Sequence, residues 1–132
     1  MFNSNGHLLT FLSSFDLVRA RNTTDSENLP RITPIRTKLG LNYSYKDYSS
    51  YVNTTFVESQ SRVSQFELPT ESYNLLDLGL SYKFNLKEKR FVELFLKGTN
   101  LANDEARVHN SFLKDQAPLR GRAIFTGITA NF

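Results

Sequence analysis

The chain has no cysteine and no tryptophan, and nowhere in its 132 residues does an apolar run approach the ~20 residues that a spanning helix needs. The missing thiols exclude a disulfide framework, a thiol nucleophile and a Cys-ligated zinc site. The missing run excludes a helical span but not a β-barrel wall, in which every second strand residue is polar. Basic residues outnumber acidic ones only 16 to 13, and they form no block suited to nucleic acid. Met1 to His7 lack the basic and apolar regions of a secretory signal. There is no Gly-rich phosphate loop, no Ser/His/Asp spacing and no acid–base pair in a defined strand context. No enzyme and no cofactor are expected.

What the chain has is Phe and Tyr, eleven and six of them, in stretches that alternate with period two. Such stretches predict an all-β antiparallel meander of about six strands, near residues 8–20, 35–46, 48–60, 76–84, 91–97 and 121–132. In the second, Ile35, Thr37, Leu39, Leu41, Tyr43 and Tyr45 share one face; Arg36, Lys38, Gly40, Asn42, Ser44 and Lys46 share the other. In the fourth, Leu76, Leu78, Leu80, Tyr82 and Phe84 oppose Asp77, Gly79, Ser81 and Lys83. In the fifth, Val92, Leu94 and Leu96 oppose Glu93 and Lys97, while Phe91 and Phe95 complicate the polar side. In the last, Ile124, Thr126, Ile128, Ala130 and Phe132 share a face.

The connections read long, short, long, short, long. That is the outer-membrane barrel pattern, with short periplasmic turns and long outer loops. Six strands cannot close around a hydrated lumen, because ~8 only just leave room for side chains. A soluble sheet would need a covering layer, and no helix is available. The expected object is an arc of a larger barrel, with transmembrane strands.

Three segments resemble one family. They are Leu29-Pro30-Arg31-Ile32-Thr33-Pro34-Ile35-Arg36, then Phe66-Glu67-Leu68-Pro69-Thr70-Glu71-Ser72-Tyr73, and the run from Gly98-Thr99-Asn100-Leu101 through Arg107-Val108-His109-Asn110-Ser111-Phe112-Leu113-Lys114-Asp115 to Gly121-Arg122. They are similar to late-strand segments of TonB-dependent outer-membrane receptors, and the Arg107–Asp115 run is similar to a branch that includes zinc-uptake receptors. Arg120 and Thr33 stand where prolines are usual, which implies altered loop geometry. The resemblance implies that residues 1–132 are the C-terminal part of a barrel of about 22 strands, a fragment without its plug domain. It implies location in the bacterial cell outer membrane and active uptake of a scarce ligand, such as a metal or metal chelate, by the intact receptor. The implied partners are outer-membrane lipid, the barrel-insertion machinery, the remaining strands and plug, and the TonB energy-coupling system, with no nucleic acid. It also implies that Phe132, Ala130, Ile128 and Ile124 are the assembly signal.

His109 with Asp104, Glu105 and Asp115 is a donor set for Zn²⁺ or another divalent metal, although the spacing matches no compact ligand motif. A loop histidine also serves structure. Asp77, Lys83, Glu93 and Lys97 fall on the lumen side, as a substrate path or as cross-strand ion pairs. The rival reading is a small soluble or self-assembling β-sheet binding protein. Against it, the long apolar-faced first strand would be an unprotected edge.

Overall fold

A computed structural model describes residues 2–4, 6–86 and 90–131. Seven strands pair antiparallel in chain order, β1 Phe2–Ser4, β2 His7–Asp16, β3 Arg36–Tyr45, β4 Tyr48–Val57, β5 Tyr73–Asn85, β6 Phe91–Thr99 and β7 Ala123–Asn131. The sheet is open, with no β7–β1 pairing among the described residues. Three-residue β1 is the addition to the expected meander; it is too short to show a period. It covers β2 only from His7 to Leu9, so the rest of that edge has no partner strand among the described residues. The first strand stops at Asp16, earlier than expected. There Asp16 meets Arg36 at 2.7 Å across the rim, and the chain turns into its loop. The expected tight turn at Lys46-Asp47 is a two-residue hairpin between the paired Tyr45 and Tyr48, with Lys46 in the left-handed region (φ 52°). The short charged turn after Asn85 falls partly outside the described residues, at Lys87, Glu88 and Lys89.

The register lines up faces across the sheet. Thr10, Asn42, Tyr51, Gly79, Lys97 and Phe125 form one row, and Phe11, Leu41, Val52, Leu78, Gly98 and Ile124 form the next. Every charged residue of β2 to β7 falls on the first kind of row: Asp16, Arg36, Lys38, Asp77, Lys83, Glu93 and Lys97. The opposite rows carry no charge, and their large side chains stand open, with Ile124 at 69% and Ile128 at 71% exposure. A hollow of about 580 Å³ spans β2 to β7 over the polar rows, from Thr10 to Thr129, which makes that face the concave one. Leu76, Leu78 and Leu80 therefore lie on the convex face, and Asp77 and Lys83 on the concave face, as the alternation predicts.

The apolar belt has edges. Tyr45, Tyr48 and Tyr82 form a row near the short turns, with the Tyr82 and Phe84 rings 4.8 Å apart and His7 stacked on Tyr45 at 3.9 Å. Phe15 and Phe56 mark the far edge. From Tyr48 to Phe56 the strand advances about 27 Å at ~3.4 Å per residue. A barrel tilt of ~40° brings that to about 20 Å, close to the ~25 Å apolar band of outer-membrane barrels.

The awkward aromatics of the concave face have partners. Tyr51 lies over Gly79 and Phe95 over Gly127, each directly across a strand pair. A Cβ on Gly79 would fall 2.1 Å from the Tyr51 ring, and one on Gly127 2.4 Å from Phe95. These rings occupy the space that the glycines leave, covering backbone that would otherwise be bare. Phe91 carries the Lys83 ammonium 4.6 Å from its centroid. At the short-turn end, Asp47 accepts from the Asn85 amide and its carbonyl accepts from Lys83 N–H at 2.9 Å, which ties neighbouring turns.

Gly79→Ala should displace Tyr51 and cost roughly 1–3 kcal/mol through overpacking. Adding Tyr51→Ser should recover part of that loss. Urea unfolding of the membrane-inserted protein reads both; an undisturbed single variant would contradict the ring-over-glycine seat.

Candidate functional site

The three long loops, residues 17–35, 58–72 and 100–122, all lie at one end of the sheet, and the three sequence segments singled out above sit in them. They converge on one carboxylate. Glu67 Oε1 accepts from the Arg31 backbone N–H at 2.9 Å and from Lys114 Nζ at 3.1 Å, and Oε2 accepts from Ser64 N–H at 3.3 Å. Lys114 Nζ also donates to the Leu68 carbonyl at 2.7 Å. His109 is fully enclosed. Its Nδ1 lies 3.0 Å from Thr70 Oγ1 and 3.5 Å from Lys114 Nζ, and its Nε2 lies 3.2 Å from Glu67 Oε1. That last contact is an ion-pair distance without hydrogen-bond alignment, and Nε2 has no hydrogen-bond partner. The network assigns a neutral imidazole with its proton on Nε2, which leaves Nδ1 to accept from Thr70 and Lys114.

Local chemistry positions the cluster. Chain exit from β6 is fixed by Asn100, buried and in the left-handed region (φ 46°), a conformation asparagine tolerates. Its backbone N–H donates to Asp77 Oδ1 at 2.9 Å, its side-chain amide donates to the Asp104 carbonyl at 2.9 Å, and its Oδ1 accepts from Asp104 N–H at 3.0 Å. Asn103 Oδ1 accepts from Arg122 N–H at 3.0 Å, so both ends of the longest loop are pinned together. Gln60 and Thr70 bridge the base of the middle loop, and the Gln60 amide reaches the Ile32 carbonyl at 3.0 Å. The small apolar patch beneath is Val57, Tyr73 and Ala106.

The electrostatics follow. Burial opposes ionisation of Glu67, but the Arg31 N–H, the Lys114 ammonium and the Ser64 N–H outweigh it, so the carboxyl stays below its ordinary range. Burial and then the Lys114 ammonium hold His109 below the ordinary imidazole value, against smaller opposing pulls from Glu67 and Asp115.

Among the four candidate metal ligands, only His109 lies in this cluster, and Asp115 is exposed at its margin. Asp104 accepts from Asn74 N–H at 2.7 Å, and Glu105 pairs with Arg107 at 2.8 Å. No group of three or more His, Asp or Glu side chains among the described residues is close enough to hold a metal ion. An ammonium beside Nδ1 also disfavours a cation there. Glu67, Lys114, Thr70 and Asn100 were not singled out as site residues, yet each stands inside a quoted segment. In the assembly face, Ile124, Ile128 and Ala130 point outward with Thr126 on β7; Phe132 lies outside the described residues. Between the three loops lies a hollow of about 460 Å³ lined by Arg31, Phe66, Glu67, Phe112, Lys114 and Asp115, with the Arg31 guanidinium 3.4 Å over the Phe112 ring.

An open, charge-sided, curved sheet with an uncharged outer belt and long loops at one end is the wall of a membrane β-barrel. The model of the TonB dependent receptor-like β-barrel family matches residues 2–101, and the chain belongs to that family. Arg31, Glu67, Thr70 and Asn100 fall within the match; His109 and Lys114 lie beyond it.

Glu67→Gln should leave the buried Lys114 uncompensated and loosen the loops by on the order of 3 kcal/mol. Glu67→Gln with Lys114→Met should restore much of it. Amide exchange across residues 60–72 and 104–119 reads the effect; equal protection in the single variant would contradict a shared anchor.

Acid should open the same loops. His109 titrates below its ordinary 6.5 when enclosed, so opened loops take up the proton first and stability falls as pH drops below that value. Glu67 adds a second loss below its ordinary 4.5, as pH falls through its depressed value. Exchange corrected for its intrinsic pH dependence should show the first loss in the native protein and not in His109→Gln.

Proposed function

We propose that this chain forms part of the barrel wall of a TonB-dependent receptor in the bacterial outer membrane, which takes up a scarce ligand when the intact protein couples to TonB. The observation that carries the reading is the segregation of charge: no Asp, Glu, Lys or Arg of β2 to β7 faces the convex side. Lipid hydrocarbon offers such groups no partner, while a hydrated lumen does. A soluble sheet protein would have to cover that convex face, and the buried apolar core of the described residues is only Val57, Tyr73 and Ala106.

In this reading, residues 1–132 serve as the C-terminal wall, and neighbouring strands and a plug complete the receptor. The chain by itself does not transport. The hollow between the loops, with its aromatic rings and mixed charges, is the first contact for the ligand. The resemblance of Arg107–Asp115 to zinc-uptake receptors makes a metal or metal chelate the class to test first. β7 serves as the strand read by the insertion machinery, through Ile124, Ile128, Ala130 and Phe132. An extended strand can add to an exposed edge by backbone bonds, with alternate side chains giving selectivity.

Adjacent residues test the faces. Ile128→Lys places a charge on the lipid side and should oppose insertion by about 1–4 kcal/mol, depending on depth. Thr129→Lys points the same charge inward, opposite Glu93, and should do little. The readout is the fraction of heat-modifiable, membrane-inserted receptor. Equal loss from both would sink the wall reading.

A further inference from the structure

We propose that residues 100–122 form a proton-operated lid over the hollow between the loops, released as one piece when His109 takes up a proton on Nδ1. Two leaves meet at the hollow. Residues 17–35 and 58–72 make the first, through bonds that involve no residue of the third loop. Arg31 N–H donates to Glu67 at 2.9 Å, the Asn28 amide to the Val63 carbonyl at 3.3 Å, and the Gln60 amide to the Ile32 carbonyl at 3.0 Å. The third loop is the second leaf. Its base is tied to the sheet by Asn100 on Asp77 and by Asp104 on Asn74, and its two ends are pinned together by Asn103 and Arg122. Beyond that base it meets the first leaf through Phe112 on Arg31, Lys114 on Glu67 and the Leu68 carbonyl, and His109 on Thr70 and Glu67.

The proton has one place to land. The neutral ring carries its own proton on Nε2, toward Glu67, so the next one goes to Nδ1. That atom accepts from Thr70 Oγ1 at 3.0 Å and lies 3.5 Å from Lys114 Nζ. An imidazolium accepts from neither. Enclosure opposes its charge first and the Lys114 ammonium second; Glu67 from the middle loop and Asp115 from its own loop pull the other way and are outweighed. Glu67 and the Leu68 carbonyl hold Lys114 beside the ring, so relief requires the lid, which carries both cations, to leave them. The bonds of the first leaf use neither His109 nor Lys114, and Glu67 keeps its charge until well below the histidine range. Acid therefore parts the leaves in order, the lid first. Phe112 goes with it, and the hollow loses one wall while Arg31, Phe66 and Glu67 keep theirs. By linkage, a ligand held between Phe112 and the first leaf opposes protonation, and acid weakens its hold.

The inference rests on the hollow as the ligand's first contact, and its test separates the two because the lid is read without ligand. The intact receptor carrying this chain is placed in lipid nanodiscs with spin labels on pairs of introduced cysteines. Gln65→Cys with Gln116→Cys spans the leaves, and Thr23→Cys with Gln65→Cys lies within the first; all three positions are exposed. Pulsed EPR distances are recorded from neutral pH down to about 5. Below 6.5 the spanning pair should gain a long component, its ratio to the short one growing up to about ten-fold per pH unit, while the pair within the first leaf stays unchanged. Phe112→Ala, which removes the Arg31 stack, should raise the pH of opening by about half a unit. His109→Gln should hold the short distance throughout. Heat-modifiability reports that each variant is formed; if His109→Gln fails that check, Lys114→Met carries the same test, because it removes the ammonium that bars the proton and its acid response should shrink. Both pairs lengthening together, or an acid response of full size in these variants, would overturn the lid. Opening as expected, with binding of a zinc–citrate chelate unchanged by Phe112→Ala, would support the lid and overturn the hollow as the ligand's contact.

Discussion

A charge cannot face hydrocarbon without a partner, and a strand can obey that rule only by alternation. The segregation of Asp16, Arg36, Lys38, Asp77, Lys83, Glu93 and Lys97 to one face follows from that constraint, and much else follows with it. A sheet with lipid on one side and water on the other has no interior of its own. Its apolar side chains are exposed because their solvent is the membrane. Its glycines at positions 79 and 127 are covered by Tyr51 and Phe95, because a thin wall has no second layer to bury bare backbone.

The loops rise out of the belt and lose that support. With little apolar material to bury, they are held by polar groups: Gln60, Thr70, Asn100, His109 and Lys114 are buried there. Buried ion pairs contribute little net stability compared with apolar packing, yet removing one partner is costly. The Glu67 anchor therefore gives definition more than strength. The charge partners of Glu67 and the burial of His109 hold both groups below their ordinary ranges, so acid works against this anchor.

The wall was legible in the sequence because period-two patterning is a local signal. The faces of β3 and β5 could be assigned residue by residue. Three-residue β1 carried no period and was missed. The overlong first strand was a boundary error at residues 17–20, where the alternation breaks at Leu17-Val18-Arg19 and the Asp16–Arg36 pair already marks the rim. The awkward Phe91 and Phe95 needed cross-strand partners, Lys83 and Gly127, that only register supplies. The loop site was half legible. Its segments stood out by resemblance, but His109 was grouped with the carboxylates nearest in sequence. The carboxylate it meets is Glu67, 42 positions away by number, through a contact that no spacing rule encodes.

The same logic explains why the two ends of the belt differ. Near the short turns, Tyr45, Tyr48 and Tyr82 present amphipathic rings suited to a boundary that is crossed once and then left alone. Near the long loops the edge is made of Phe15 and Phe56, which have no polar tip. In the row next to Phe15, the Asp16–Arg36 pair stands on the concave side. The lower edge carries hydroxyl tips on its own rings, whereas the rings of the upper edge end in carbon.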